Sequence, residues 1–154
     1  MNGRVSRVAI ALLCVSAACA ETRTGSAASG QPWTAASTVQ PSDLVRELAA
    51  DADKPLVVYI GPAFLYRQGH IPGASMHGTA STAQGLSELK TWAGSLPRST
   101  NLVIYCGCCP IADCPNLRPG FEALQAMGFE RLRVLMLPDN FATDWVGKGY
   151  PLER

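Results

Sequence analysis

From residue 41 onward the apolar positions switch between helical and strand periods. Pro41-Ser42-Asp43 offers an N-cap, and Leu44, Val45 and Leu48 share one face, which predicts a short helix. Pro55 to Ile60 (PLVVYI) is a continuous β-rich apolar run, the signature of a strand buried on both faces, and Gly61-Pro62 stops it. Gly69 to Ala74 is rich in turn residues. A helix is expected from Ser81 or Thr82 through Leu86, Leu89 and Trp92, ending near Gly94 and Pro97. Asn101 to Tyr105 (NLVIY) predicts a second buried strand. Arg118 to Met127 carries Phe121, Leu124 and Met127 at helical spacing and closes on Gly128. Leu132 to Leu137 predicts a third strand, and Asn140 to Val146 a last short helix. Strands that alternate with helices imply an α/β fold, a central parallel sheet covered on both faces in three layers. Sites in such sheets form at the carboxyl ends of strands, and Cys106 stands at one, ahead of a helix.

The first forty residues follow a different pattern. Arg4 and Arg7 precede an uncharged apolar run, Val8 to Ala18, too short to span a bilayer of roughly 30 Å as a helix. It suits a secretory signal over residues 1–20. Ala18-Cys19-Ala20 reads as a small-x-small cleavage site, whereas Ser16-Ala17-Ala18-Cys19 reads as a lipobox in which Cys19 becomes a lipidated first residue. A Ser/Ala/Gly/Thr-rich stretch follows, so residues 21–40 are expected to be a flexible linker and 41–154 the folded domain. This organisation predicts a periplasmic or other extracytoplasmic location, with a membrane lipid anchor if Cys19 is lipidated. Cys14 falls in the discarded segment.

Composition narrows the class. Of 154 residues, 47% are hydrophobic, which suffices for a core, and 16% are charged with a net charge of +1. Loss of residues 1–20 removes two Arg and no acid, leaving 11 basic residues against 12 acidic. No basic block exists, which excludes a nucleic-acid partner. The six cysteines change the picture, because Cys106, Cys108, Cys109 and Cys114 fall within nine residues. Clustering of this kind points to one site where sulfur does chemistry, binds metal or forms a local disulfide.

Four segments, in order, resemble the rhodanese-like domains. Tyr66-Arg67-Gln68-Gly69-His70-Ile71-Pro72-Gly73-Ala74 resembles their G-H-I-P-G-A signature, and Val103-Ile104-Tyr105-Cys106 their strand and nucleophile. Leu124-x3-Gly128-Phe129 resembles the helix and glycine turn that follow, and Trp145-x3-Gly149-Tyr150-Pro151 the closing W-x3-G-x-P. The resemblance covers residues 41–154. It implies the rhodanese-like three-layer fold and sulfurtransferase chemistry: Cys106 takes a sulfane sulfur from a small donor, thiosulfate or a persulfide, holds it as a persulfide, and passes it to a thiol or other nucleophile. A thiolate is the reactive form of cysteine. Backbone N–H groups around Gly107, Cys108, Cys109, Pro110, Ile111 and Ala112 are expected to cradle it, although Pro110 itself has none to give. Gly107 permits the tight turn. No cofactor is expected.

The loop departs from that pattern. From Cys106 to Leu124 it is about five residues longer. Arg118, its single cation, lies twelve positions after Cys106 and is the candidate for substrate contact. Asp113 is expected to oppose an anionic donor. Ala112 argues against the related C-x5-R phosphatases, which need Arg there to bind phosphate. Three readings of the extra cysteines stay open. Cys108, Cys109 or Cys114 serves as a resolving thiol, which includes a thiol–disulfide redox role for the cluster. The thiolates instead bind copper(I) or zinc. Or Cys109–Cys114 is a structural disulfide. His70, His77, Trp92, Trp145 and Tyr150 are expected to serve packing.

Overall fold

The computed structural model describes residues 30–154. The expected export segment 1–20, Cys14, Cys19 and residues 21–29 of the expected linker lie outside the described residues. The elements run β1 (Thr38–Val39), α1 (Pro41–Ala49), β2 (Leu56–Tyr59), α2 (Ala63–Gln68), β3 (Ser75–Met76), α3 (Ala83–Gly94), β4 (Asn101–Tyr105), α4 (Leu117–Ala126), β5 (Arg131–Leu135) and α5 (Phe141–Asp144). They build a five-stranded sheet of order β1-β5-β4-β2-β3, in which every pairing is parallel.

Alternation along β4 sorts the core into two layers. Leu102, Ile104 and Cys106 face Leu89 and Ala93 of α3 and Leu117, Phe121 and Leu124 of α4. Val103 and Tyr105 face the other way, onto Leu44 of α1, Ile71 and Trp145. The helices thus cover both faces, the expected three-layer α/β arrangement. Cys106 belongs to the α3/α4 face because it continues the even-numbered row of a strand whose five residues are all buried.

The sheet begins earlier than the sequence suggests. Thr38 and Val39, inside the expected linker 21–40, pair with Val134 and Leu135, and Val39 is buried. Trp33 packs edge-on against Phe121, with ring centroids 5.7 Å apart. A two-residue strand leaves no periodicity to read, and pairing with β5 alone defines it.

The expected cap of α3 is present. Thr82 has an extended backbone and its hydroxyl accepts from the Gly85 N–H at 3.0 Å. Thr82→Ala is expected to cost about 1 kcal/mol, measured as a lowered urea midpoint at unchanged slope.

Candidate active site

Cys106 follows β4 at the carboxyl end of the sheet's central strand and is 1% exposed. Gly107 then turns the chain at φ +72°, and its carbonyl accepts from the Phe141 N–H at the start of α5. This turn folds the loop back over the strand end. The Sγ atoms of Cys106 and Cys108 lie 3.2 Å apart, as do those of Cys108 and Cys109. Gly61, at the end of β2, makes room for them: a Cβ there would stand 2.7 Å from Cys106 Sγ and 2.6 Å from the Tyr59 hydroxyl.

The sequence placed Cys106 ahead of a helix, with backbone N–H groups expected to hold its thiolate. The structure corrects this. A loop containing a 3-10 turn at Ile111–Asp113 intervenes, and α4 starts only at Leu117. Cys114, not Cys106, therefore sits at the α4 N-terminus, where the Asn116 and Leu117 backbone N–H groups act on its sulfur. The thiol proton donated from Cys106 is the larger cause, and with these N–H groups it holds Cys114 low, at about 6, against the opposing effect of burial. Cys106 moves the opposite way, upward, because it gives that proton to Cys114 and because it is buried. The two thiols share one proton that leaves readily and a second that leaves reluctantly. Burial, first of all, pushes the Cys109 thiol up to about 12. All four thiols are free in this structure, with no bond between Cys109 and Cys114.

Asn116 joins the cluster, although its residue type carried no signal for it. It is 2% exposed, and its Nδ2 donates to Cys106 Sγ at 3.3 Å and reaches Cys108 Sγ at 4.0 Å. Its Oδ1 accepts from the Ser81 N–H at 3.0 Å, which fixes the orientation of the amide. An Asn immediately before a helix reads as a cap, yet this side chain makes no capping bond. Asn116→Asp keeps the acceptor for Ser81 but sets a carboxylate against the sulfurs. It is expected to raise the pH at which Cys106 is alkylated by about one unit, since an adjacent like charge disfavours the thiolate. Iodoacetamide kinetics against pH checks this.

A cavity of about 350 Å³ reaches Cys106. Cys106, Gly107, Cys108, Tyr59, Phe141 and Arg154 are among its lining residues. Of the expected loop residues, Cys109, Pro110, Ile111 and Ala112 do not line it. Arg118 does not either: it pairs with Glu122 at 3.3 Å on the exposed side of α4. Asp113 is exposed and also outside the lining, so the expected opposition to an anionic donor is not placed at the cavity. The cation at the cavity is Arg154. Burial pushes the Tyr59 hydroxyl well above its ordinary value, so it stays protonated, and it donates to the Pro62 carbonyl at 3.2 Å. A larger recess of about 600 Å³ lies at the amino ends of the strands. It contains no thiol, and four of its charged side chains are taken up by the pairs Arg131–Asp53 and Arg133–Glu47.

The remaining signature residues hold the frame. His70 stacks on Tyr66 with ring centroids 3.9 Å apart, and its Nδ1 lies 3.0 Å from the Tyr66 carbonyl. Its backbone exchanges two 2.9 Å hydrogen bonds with Glu153, which ties the closing segment to the turn. Trp145 is fully buried and its indole N–H donates to the Pro151 carbonyl at 2.7 Å. Tyr150 packs against it, and His77 stacks on Trp92. The turn, the closing motif and these histidines thus have the packing roles expected of them.

Among the described residues one group of three His, Cys, Asp or Glu side chains converges closely enough to hold a metal ion: Cys106, Cys108 and Cys114, whose sulfurs all lie within 4.8 Å of one another.

No protein-family model matches the chain, and no curated protein matches it. Solved structures do. The solution structure of a rhodanese-like domain from Anabaena sp. superposes with a TM-score of 0.56 at 21% identity, over 76% of this chain and 78% of that one. A Bacillus halodurans protein superposes with a TM-score of 0.60 at 18% identity, over 77% of each chain. A crystal structure of the same Anabaena sp. protein gives 0.57 at 20% identity, over 75% of this chain and 81% of that one. The parallel sheet, the helices on both faces and these neighbours agree: residues 30–154 have the rhodanese-like α/β fold, with a free cysteine cluster at the carboxyl end of the central strand.

Proposed function

We propose that this protein is a sulfurtransferase that carries sulfane sulfur as a persulfide on Cys106. The observation that supports this reading is the position of Cys106: it ends the central strand of a rhodanese-like fold, lines the cavity, and receives an amide N–H on its sulfur.

The chemistry runs in two displacements. Cys106 passes its proton to the Cys114 thiolate, whose negative charge is held by the α4 N-terminus. The Cys106 thiolate attacks the outer sulfur of a small sulfane donor. A new S–S bond forms, the donor's S–S bond breaks, and its electron pair leaves with the departing group. The resulting persulfide lies against the Asn116 amide and the Cys108 N–H. A thiol acceptor then attacks the outer sulfur and the Cys106 thiolate leaves. Arg154 is placed to draw an anionic donor into the cavity. The basic start and apolar run of residues 1–20 support an extracytoplasmic setting, with Cys19 as the candidate lipid attachment point.

Incubation of the reduced protein with thiosulfate or with glutathione persulfide tests the assignment. Intact mass is expected to rise by about 32 Da, one sulfur atom, and to fall back when a free thiol is added. No adduct with either donor would overturn it.

A further inference from the structure

We propose that Cys106, Cys108 and Cys114 form a three-sulfur site for a soft monovalent cation, copper(I). The sequence left copper and zinc open over four cysteines. The structure selects three of the four and, through their number, the cation.

The three sulfurs stand within 4.8 Å of one another, a spread that one ion at their centre can bridge. Cys109 is outside this group, although it touches Cys108 at 3.2 Å. No imidazole or carboxylate belongs to the group. An all-sulfur donor set selects soft metals, and three donors in a dry pocket suit a trigonal ion, whereas zinc takes a fourth ligand, from the protein in structural sites and from water in open ones.

The surroundings are apolar and largely shielded from water. Cys106 and Cys114 are buried, and Ile60, Leu117 and Phe121 belong to the same apolar cluster. Asn116 supplies the outer hydrogen bonds a thiolate site needs, donating toward two of the three sulfurs while Ser81 anchors its oxygen. On binding, three copper–sulfur bonds form, the thiol protons leave to solvent, and copper stays in the +1 state, so no oxidant or reductant enters. Where Cys106 also carries sulfane sulfur, the two loads exclude each other. The copper site itself does not depend on that reading.

The test is an anaerobic titration of the reduced full chain with copper(I) held by a chromophoric chelator. One equivalent is expected to leave the chelator, and copper K-edge absorption is expected to count three sulfur neighbours. Cys109→Ser is expected to bind as wild type does, while Cys106→Ser, Cys108→Ser and Cys114→Ser each weaken binding by about tenfold or more. No transfer to the wild-type chain overturns the proposal, whatever the variants do. So does Cys109→Ser weakening as severely as Cys108→Ser, or zinc held as tightly as copper with four sulfur neighbours. The wild-type titration and the sulfur-adduct mass are separate measurements, so either reading can fail alone.

Discussion

Cys106→Ser is expected to take up no sulfur from thiosulfate or glutathione persulfide, while Cys109→Ser gains the same adduct as wild type. The substitution changes one atom in a residue that is 1% exposed, and a serine hydroxyl fits where the thiol was. Asn116 Nδ2 can still donate to the oxygen, so the loop keeps its anchor. What is lost is the nucleophile, because a hydroxyl does not ionise near neutral pH and holds no sulfane sulfur. Peptide mapping after blocking of free thiols locates the adduct. An equal adduct on Cys106→Ser would place the carrier on one of the other three thiols of the loop and remove the basis of the assignment.

Gly107→Ala is expected to cost roughly 2–5 kcal/mol, the sum of left-handed backbone strain and overpacking. At φ +72° an L-residue is strained whatever the space around it. Space is also lacking: the new Cβ would stand 2.5 Å from the Phe141 Cβ and 3.1 Å from its backbone nitrogen. Relief requires α5 to move away, which breaks the hydrogen bond from the Phe141 N–H to the Gly107 carbonyl and opens the cavity wall. Urea unfolding reports the first effect and the rate of sulfur uptake the second. A variant as stable as wild type would show that the turn is adaptable and that the strand end does not fix Cys106.

The elements legible in the sequence are those whose pattern is set by burial. β2 and β4 are apolar runs because both faces of the central sheet are covered, and Leu44, Leu89 and Leu124 mark the buried faces of α1, α3 and α4. β1 and β3 have two residues each, and α2 follows Gly61-Pro62 directly, so neither length nor period announces them. At the site, the thiols and the Gly107 turn are visible in one dimension. Their contacts are not. Asn116 lies ten residues from Cys106 and meets it only because the loop folds back. Arg118 falls on the wrong side of α4, one helical step away from the face that Leu117 and Phe121 bury. The long loop after Gly107 sets the helix start beside Cys114 rather than Cys106, and the backbone N–H groups there act on the Cys114 sulfur.

The backbone clasp between His70 and Glu153 sets how the interior is reached. Leu152 and Arg154 flank Glu153 and line the cavity, so one wall hangs on two amide hydrogen bonds, on the Gly73 N–H that donates to the Glu153 carboxylate at 2.8 Å, and on the Trp145–Pro151 bond just before it. Such a clasp can let go without the sheet or the helices yielding. The His70 and Glu153 amides are therefore expected to exchange with deuterated water faster than those of β4, and their exchange rate times the opening of the wall. Residence of any molecule in the cavity becomes a property of the closing peptide stretch around Glu153, a part of the molecule that carries no sulfur at all.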